Sequence, residues 1–439
     1  MRSFFALVSI LPGLVMTLTP GMAGSATTAG GAMRVDIEIG GMVKVNSVAR
    51  LLAGLPPTYP GHRDSAESAT WKEHSAAMGA ALTRLNNDRG TAMAAWRDSV
   101  LQGGCGQPAS AATAATAGNA STSQGAARTL FYPFSGPDFF NAHLLFPGCD
   151  NYLMFGLEHV GDLPAIDAIN ERDLARLLTD VRRSVSDLFD RNYFITENMS
   201  RQLRTSQLHG VLPLLVIPMA LSGVEILRIV PNEAVRNMKQ RVVREATSAS
   251  PGAVAGAGAT AGAAPAVDGS PAPEVKPVKA WRPMRQLNGV IIEFRKPGSS
   301  AVQRLHYFTV DATDRGLSAY PEFIDYLRGF APTTSFVKSA SYLLHGREFS
   351  RMRQTVLDMS EVLVQDDTGV PYSYLTRWNV SLYGRYEIPI RPFEKGYFQP
   401  ALDRAFKEAN PALLSFDFGY NYSDRRDNRS NVLVARRRR

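Results

Sequence analysis

Apolar positions recur at helical spacing from Ala66 to Leu101, where Trp71, Met78, Leu82, Leu85, Met93 and Trp96 fall in turn. Asn86-Asn87-Asp88-Arg89-Gly90 interrupts them as a turn signal, so the pattern predicts an antiparallel helical pair with both tryptophans as core anchors. Upstream, Met33–Gly40 (MRVDIEIG) reads as a short strand. Leu130–Phe134 predicts a strand, Gly136-Pro137 a turn, and Pro137 the first turn of a helix reaching His143. Tyr152–Leu157 is a second apolar strand, so this stretch predicts a β-α-β unit with a short crossover. Leu174, Leu177, Leu178, Val181, Val185, Leu188 and Phe189 share one helical face. Asn170 is the expected N-cap of that helix, with Glu171 and Asp173 at its positive start. Gly210–Gly223 is uncharged and carries Pro213 and Pro218. It is too short to span a bilayer and predicts a buried, kinked core helix.

The C-terminal half is richer in strand patterns. Gly289–Arg295 and Arg304–Val310 flank Lys-Pro-Gly-Ser-Ser, a hairpin signal. Helices are predicted at Pro321–Phe330, Val337–Leu344 and Ser350–Met359, and strands at Glu361–Gln365 and Trp378–Tyr386. Leu414, Phe416, Phe418, Tyr420 and Tyr422 alternate with Ser415, Asp417, Gly419 and Asn421, which predicts a last strand. An outer-membrane barrel needs at least about eight such segments, and the interleaved helices exclude it. The fold class expected is α/β (or α+β), a mixed sheet with packed helices preceded by a helical N-terminal portion.

Composition adds boundaries and a compartment. Residues 103–127 and 247–277 are nearly all small or polar, with Pro in the second, and cannot bury enough apolar surface to offset their ordering entropy. They divide the chain into residues 27–102, an α/β portion at 128–246 and a β-rich portion at 278–424 packed on it, followed by a basic tail at 425–439. Residues 1–26 have a basic start, an apolar run from Phe4 to Leu18 and small residues up to Ala26, the layout of a secretory signal peptide. Export to the periplasm or medium is therefore expected, and Cys105 and Cys149 become a candidate disulfide. Two cysteines without clustered histidine argue against a structural zinc site. The net charge is +8, but residues 421–439 hold seven Arg and two Asp, which leaves +3 for the rest. That distribution argues against nucleic acid. It points to a solvated end or to contact with an anionic envelope polymer or lipid.

Catalytic patterns are sparse. Ser135 sits at a strand-to-helix turn, but Pro-Phe-Ser-Gly-Pro lacks the glycine a nucleophile elbow places two residues before the serine. A helix cap is the expected role. Asp138, Glu158, Asp366 and Asp367 are carboxylates within apolar or aromatic stretches, where each needs a partner or a cleft. A buried ion pair of Glu158 with an arginine such as Arg385 is one expectation. Asp366-Asp367 before Thr-Gly-Val-Pro reads as a turn. His345, before Gly346, reads as a helix end with glycine just beyond it. There is no HExxH, Walker or GxGxxG pattern, and no cofactor or metal is implied. Ser135, Tyr372 and Arg385 are candidate ligand contacts, and Asp138, Glu158, His345 and Asp366 candidate catalytic groups.

YPFSGPDF from Tyr132, FGLE ending at Glu158, SASYLLH ending at His345, QDDTGVPYSY from Gln365, LYGRY from Leu382 and the GVLPLL stretch together resemble a group of uncharacterised exported bacterial proteins. The resemblance covers most of residues 60–424 outside the low-complexity tracts. It implies that these strings form one site or one core, and it carries no activity. Two functional expectations follow: an exported cell-envelope protein with a binding or scaffold role, or an exported hydrolase using carboxylate and histidine in a cleft. Convergence of Asp138, Glu158, His345 and Asp366 in one pocket would favour the hydrolase.

Overall fold

The computed structural model describes residues 39–101, 105, 127–191, 208–248, 287–389, 393, 396–420 and 430–438. The predicted signal peptide, residues 103, 104 and 106–126 of the first tract and 249–277 of the second lie outside the described residues.

The N-terminal portion is helical: α1 (Ile39–Leu52), α2 (Arg63–Glu67), α3 (Ala69–Leu85) and α4 (Thr91–Trp96). The strand expected at Met33–Gly40 ends inside α1; its first six residues lie outside the described ones. Ser68 caps α3 by accepting from the Trp71 amide at 3.1 Å. Trp71 Nε1 then donates to the Leu51 carbonyl at 3.0 Å, and Ser75 Oγ to the Gly54 carbonyl at 2.6 Å, which staples α3 onto the end of α1. The predicted turn at Asn86–Gly90 is instead a π-helical segment, and Arg97–Leu101 is another. Gly90 has helical backbone angles, so the chain continues rather than reversing. The helix that packs on α3 is α6, further along the chain.

The predicted β-α-β unit is present as β1 (Thr129–Tyr132), α5 (Phe139–Leu145) and β2 (Asn151–Gly156), with the strands parallel. The amphipathic helix α6 (Glu171–Arg191) starts as expected, the Asp173 amide donating to Asn170 Oδ1 at 2.9 Å. The uncharged helix α7 (Leu212–Leu221) is buried from Leu212 to Ala220 and contains Pro218. It is followed by β3 (Glu225–Pro231), α8 (Glu233–Ser248) and the antiparallel hairpin β4 (Asn288–Arg295) and β5 (Gln303–Thr309). The remaining elements are α9 (Asp314–Ser318), α10 (Pro321–Arg328), β6 (Thr333–Val337), α11 (Ser350–Met359), β7 (Ser360–Gln365), β8 (Trp378–Gly384), α12 (Pro400–Ala409) and β9 (Asn431–Arg437). No helix among the described residues is long and apolar enough to cross a membrane.

Among the described residues nine strands form one mixed sheet, in the order β3-β4-β5-β2-β1-β6-β7-β9-β8. The central five are parallel. Helices cover both faces, so β1, β2 and β6 are buried along nearly their whole length rather than alternately. Leu130 and Tyr132 enter one core with α5 and α7, and Phe131 enters the other with α10 and α11. The sheet grows from β1 outward to β2 and β5, then from β6 outward to β7 on the other side. That reversal between β1 and β6 opens the sheet at its carboxyl edge, where ligands of such sheets bind.

Three further expectations about the elements are corrected. Val337–Leu344 is not a helix: β6 ends at Val337, and Ser339, Ser341 and Tyr342 have φ of +53°, +50° and +56°. Leu414–Tyr420 is irregular, although Leu414, Phe416 and Phe418 are buried as the alternation required. The basic end is not a solvated tail, because β9 lies between β7 and β8. Val432 and Val434 fill one core, and Leu433 and Ala435 the other. Arg437 Nε donates to the Ser360 carbonyl at 3.0 Å and Nη2 to that of Leu357, which caps the end of α11. Cys105 and Cys149 form a disulfide with Cα atoms 5.2 Å apart, tying the end of the N-terminal helical portion to the loop before β2.

Candidate functional site

The four candidate catalytic residues follow the carboxyl ends of parallel strands: Asp138 after β1, Glu158 after β2, His345 after β6 and Asp366 after β7. The topology therefore brings them to one edge of the sheet. Four of the five described non-glycine residues with positive φ also lie there: Phe134, Ser339, Ser341 and Tyr342. Such backbone is costly for L-residues and persists where surrounding contacts over-determine it.

Asp138 is the N-cap of α5, accepting from the Asn141 amide at 3.2 Å and its side-chain nitrogen at 2.8 Å. Its other oxygen accepts from Tyr132 at 2.9 Å and lies 3.1 Å from the Lys338 ammonium. Lys338 is the first residue after β6, so this ion pair bridges the two strands where the sheet order reverses. The two side chains are 0% and 3% exposed. Burial pushes the lysine pKa down, and the Asp138 carboxylate opposes that shift. Ser135 is not the cap expected of it. Its hydroxyl donates to the carbonyls of Gly136 and Phe155 at 3.0 and 3.4 Å.

Asp366 is also enclosed. Its oxygens accept from the Ser339 amide at 2.9 Å and from the amide of Thr368 at 3.0 Å, with the Thr368 hydroxyl as a further donor. It is the turn former expected, and it also clamps the left-handed loop after β6. Burial, together with the neighbouring Asp367 charge, pushes its pKa up to about 7. Asp367 accepts from the Tyr342 hydroxyl and, at 2.9 Å, from Asn431 of β9. Gly419 passes over this carboxylate so closely that a Cβ there would stand 2.4 Å from Asp366 Oδ2. Tyr420 then donates to the Ser339 carbonyl at 2.7 Å. Lys338 feels both Asp138 and Asp366, which makes these three one buried electrostatic cluster.

Glu158 stands apart from it, whereas His345 lies against the turn that carries Asp366 and Asp367. Glu158 accepts from its neighbour's amide, Leu157, at 3.0 Å and from Tyr307 at 3.4 Å. Burial raises its pKa against these bonds. The expected ion pair with Arg385 is not formed; Arg385 Nε reaches Glu387 at 2.9 Å. His345 ends a 3-10 turn, and Gly346 after it has ordinary φ, so the expected helix end with a left-handed glycine is absent. The imidazole packs edge-on to Tyr342 and Tyr397, its Nε2 buried without a hydrogen-bond partner, and burial lowers its pKa to about 4. Tyr372, whose amide donates to Gln399, lies on the turn between β7 and β8.

Sequence reasoning missed Lys338 and Arg89. Lys338 was hidden inside a stretch read as helix. Arg89 was read as part of a turn, whereas the π-helical segment turns its guanidinium inward, leaving it 5% exposed. It donates to the carbonyls of Leu188 and Phe189 near the end of α6, at 2.5 and 2.8 Å. Burial lowers its pKa to about 10, against the charges of Asp417 and Asp138. Among the described residues no group of three or more His, Cys, Asp or Glu is placed to hold a metal ion. Comparison with protein families, curated proteins and solved structures finds no match to this chain.

Proposed function

We propose that this is an exported cell-envelope protein with a binding or scaffold role. The observation that carries the reading is the internal occupation of the candidate acids. Asp138 is neutralised by Lys338 and held by Tyr132 and Asn141. Asp366 is spent on Ser339 and Thr368. A general acid or base must reach the proton it transfers, within hydrogen-bond distance or through one water. These carboxylates are aimed at their own loops. Export is supported by the Cys105–Cys149 disulfide, since such bonds persist in oxidising compartments. The test is fractionation of cells producing the full chain, with the mature N-terminus sequenced. Recovery with the envelope and a start near residue 27 supports the reading; a cytosolic, uncleaved chain overturns it.

The hydrolase reading has one observation in its favour, the gathering of Asp138, Glu158, His345 and Asp366 with the left-handed residues at the carboxyl edge. It is tested with chromogenic ester and glycoside substrates. Turnover abolished in a folded Asp366→Asn protein would establish it; the same low rate in wild type and variant would remove it.

A further inference from the structure

Two grooves flank the turn Tyr372–Leu375. One, of about 400 Å³, runs between α10 and α11 and is lined by Arg328, Arg351, Arg353 and Tyr374 among others. The second, of about 450 Å³, lies along the edge strand β8 and includes Asn379, Ser381 and Arg438. Among the described lining residues of both grooves there are four arginines and no carboxylate.

The neighbouring groups engage these guanidinium groups in part: Arg351 Nη1 donates to Ser318 Oγ at 3.1 Å, and Arg328 pairs with Asp325 and Asp358. Asp314 is committed to the Ser350 hydroxyl and the Arg351 amide, the latter at 2.8 Å. Asp325 and Asp358 each approach Arg328 only to 3.6 Å, and its side chain stays 49% exposed. Arg438 has Asn379 Oδ1 as its partner at 3.2 Å. Arg353 is anchored on the carbonyls of Leu344 and Gly346, with its guanidinium 4.7 Å from the Tyr374 ring centre. It therefore positions that ring, which is 48% exposed. Arg437 lies over Trp378, which lines the second groove, at 5.0 Å.

We infer that these grooves bind an acidic polysaccharide. Guanidinium groups match carboxylates in fork geometry. The amide of Asn379 and the hydroxyl of Ser381 suit sugar hydroxyls, and Tyr374 offers a flat apolar face to a ring, whereas Ser350 and Gln354 are engaged by Asp314 and Asp358. Three arginines on one side of the turn and one on the other fit a chain with repeated charges better than a single small anion. Neither groove offers the cluster of exposed apolar side chains that lipid insertion requires. The inference rests on the binding reading above and gives that reading its ligand class. Of the terminal arginines where an anionic partner is expected from the sequence, it keeps Arg438 and leaves out Arg437, which is occupied in capping α11.

The test uses the full mature chain and a fluorescently labelled oligogalacturonate, titrated at low and high salt. Neutral dextran, a single-stranded oligonucleotide and phosphatidylglycerol vesicles are run as competitors. Saturable binding is expected, weakened by salt, little affected by dextran, and reduced about tenfold or more in Arg328→Gln/Arg351→Gln. Arg438→Gln should weaken it severalfold, and both variants should unfold at the wild-type temperature. Unchanged affinity in folded variants overturns the inference, as do equal competition by dextran and preference for the oligonucleotide or vesicles. If oligogalacturonate does not bind but the protein still fractionates with the envelope, the ligand class is wrong and the binding reading stands. Loss of envelope association removes that reading itself.

Discussion

A buried ion pair is a poor source of net stability and a severe liability when half is removed. Asp138 and Lys338 illustrate both sides of that balance, because neither can be hydrated where it sits. Asp138→Asn and Lys338→Met should each cost about 3–5 kcal/mol in urea unfolding, and the double variant less than either single one. Additive losses in the double variant would show that the two residues do not act as a pair. Asp366 gives a pH signature. Its pKa in the folded chain is raised to about 7, above the ordinary carboxylate value, so the stability it contributes is present at acid pH and is lost as pH rises through 7. Asp366→Asn should therefore gain on the wild type between pH 5 and pH 8, read as urea midpoints. Midpoint differences that stay constant with pH would contradict the assignment. The sequence marked the carboxylates correctly because charge inside an apolar run is visible. It hid their partners, because Lys338 and Arg89 sit in stretches whose local residues favour helix and turn.

Elements whose apolar period matches their burial were legible: α5, α6, α7, α11 and the β4–β5 hairpin follow their sequence patterns closely. The failures have physical causes. β9 is an unbroken run, Val432–Ala435, as befits a strand buried on both faces, and the flanking arginines masked it. Leu414–Phe418 has strand periodicity but is irregular, and Gly419 just after it lies over Asp366. β6 is short, and its loop adopts left-handed backbone that no propensity favours. Because β9 joins β8 to the sheet, truncation after Ser430 should expose β8 and yield an insoluble or unfolded chain, while removing Arg438 and Arg439 should leave the unfolding temperature unchanged. A soluble, cooperatively unfolding protein lacking residues 431–439 would refute the placement of β9.

At the scale of the whole molecule, the disulfide and the carboxyl-edge cluster serve the same end. Cys105–Cys149 closes a loop with a sequence separation of 44, which by chain entropy is worth about 4 kcal/mol. Reduction should lower the unfolding temperature, and a Cys105→Ser/Cys149→Ser protein should be insensitive to reductant; equal unfolding of oxidised and reduced wild type would contradict this. The edge cluster bridges β1, β6 and β7 at the point where the chain turns from building one half of the sheet to building the other. The central claim is that these buried charges hold the frame and that binding lies elsewhere. Its most direct test is envelope association of the Asp138→Asn/Lys338→Met protein, first shown by circular dichroism to be folded. Association equal to wild type is predicted; its loss in that folded protein would mean the cluster is itself the site of function.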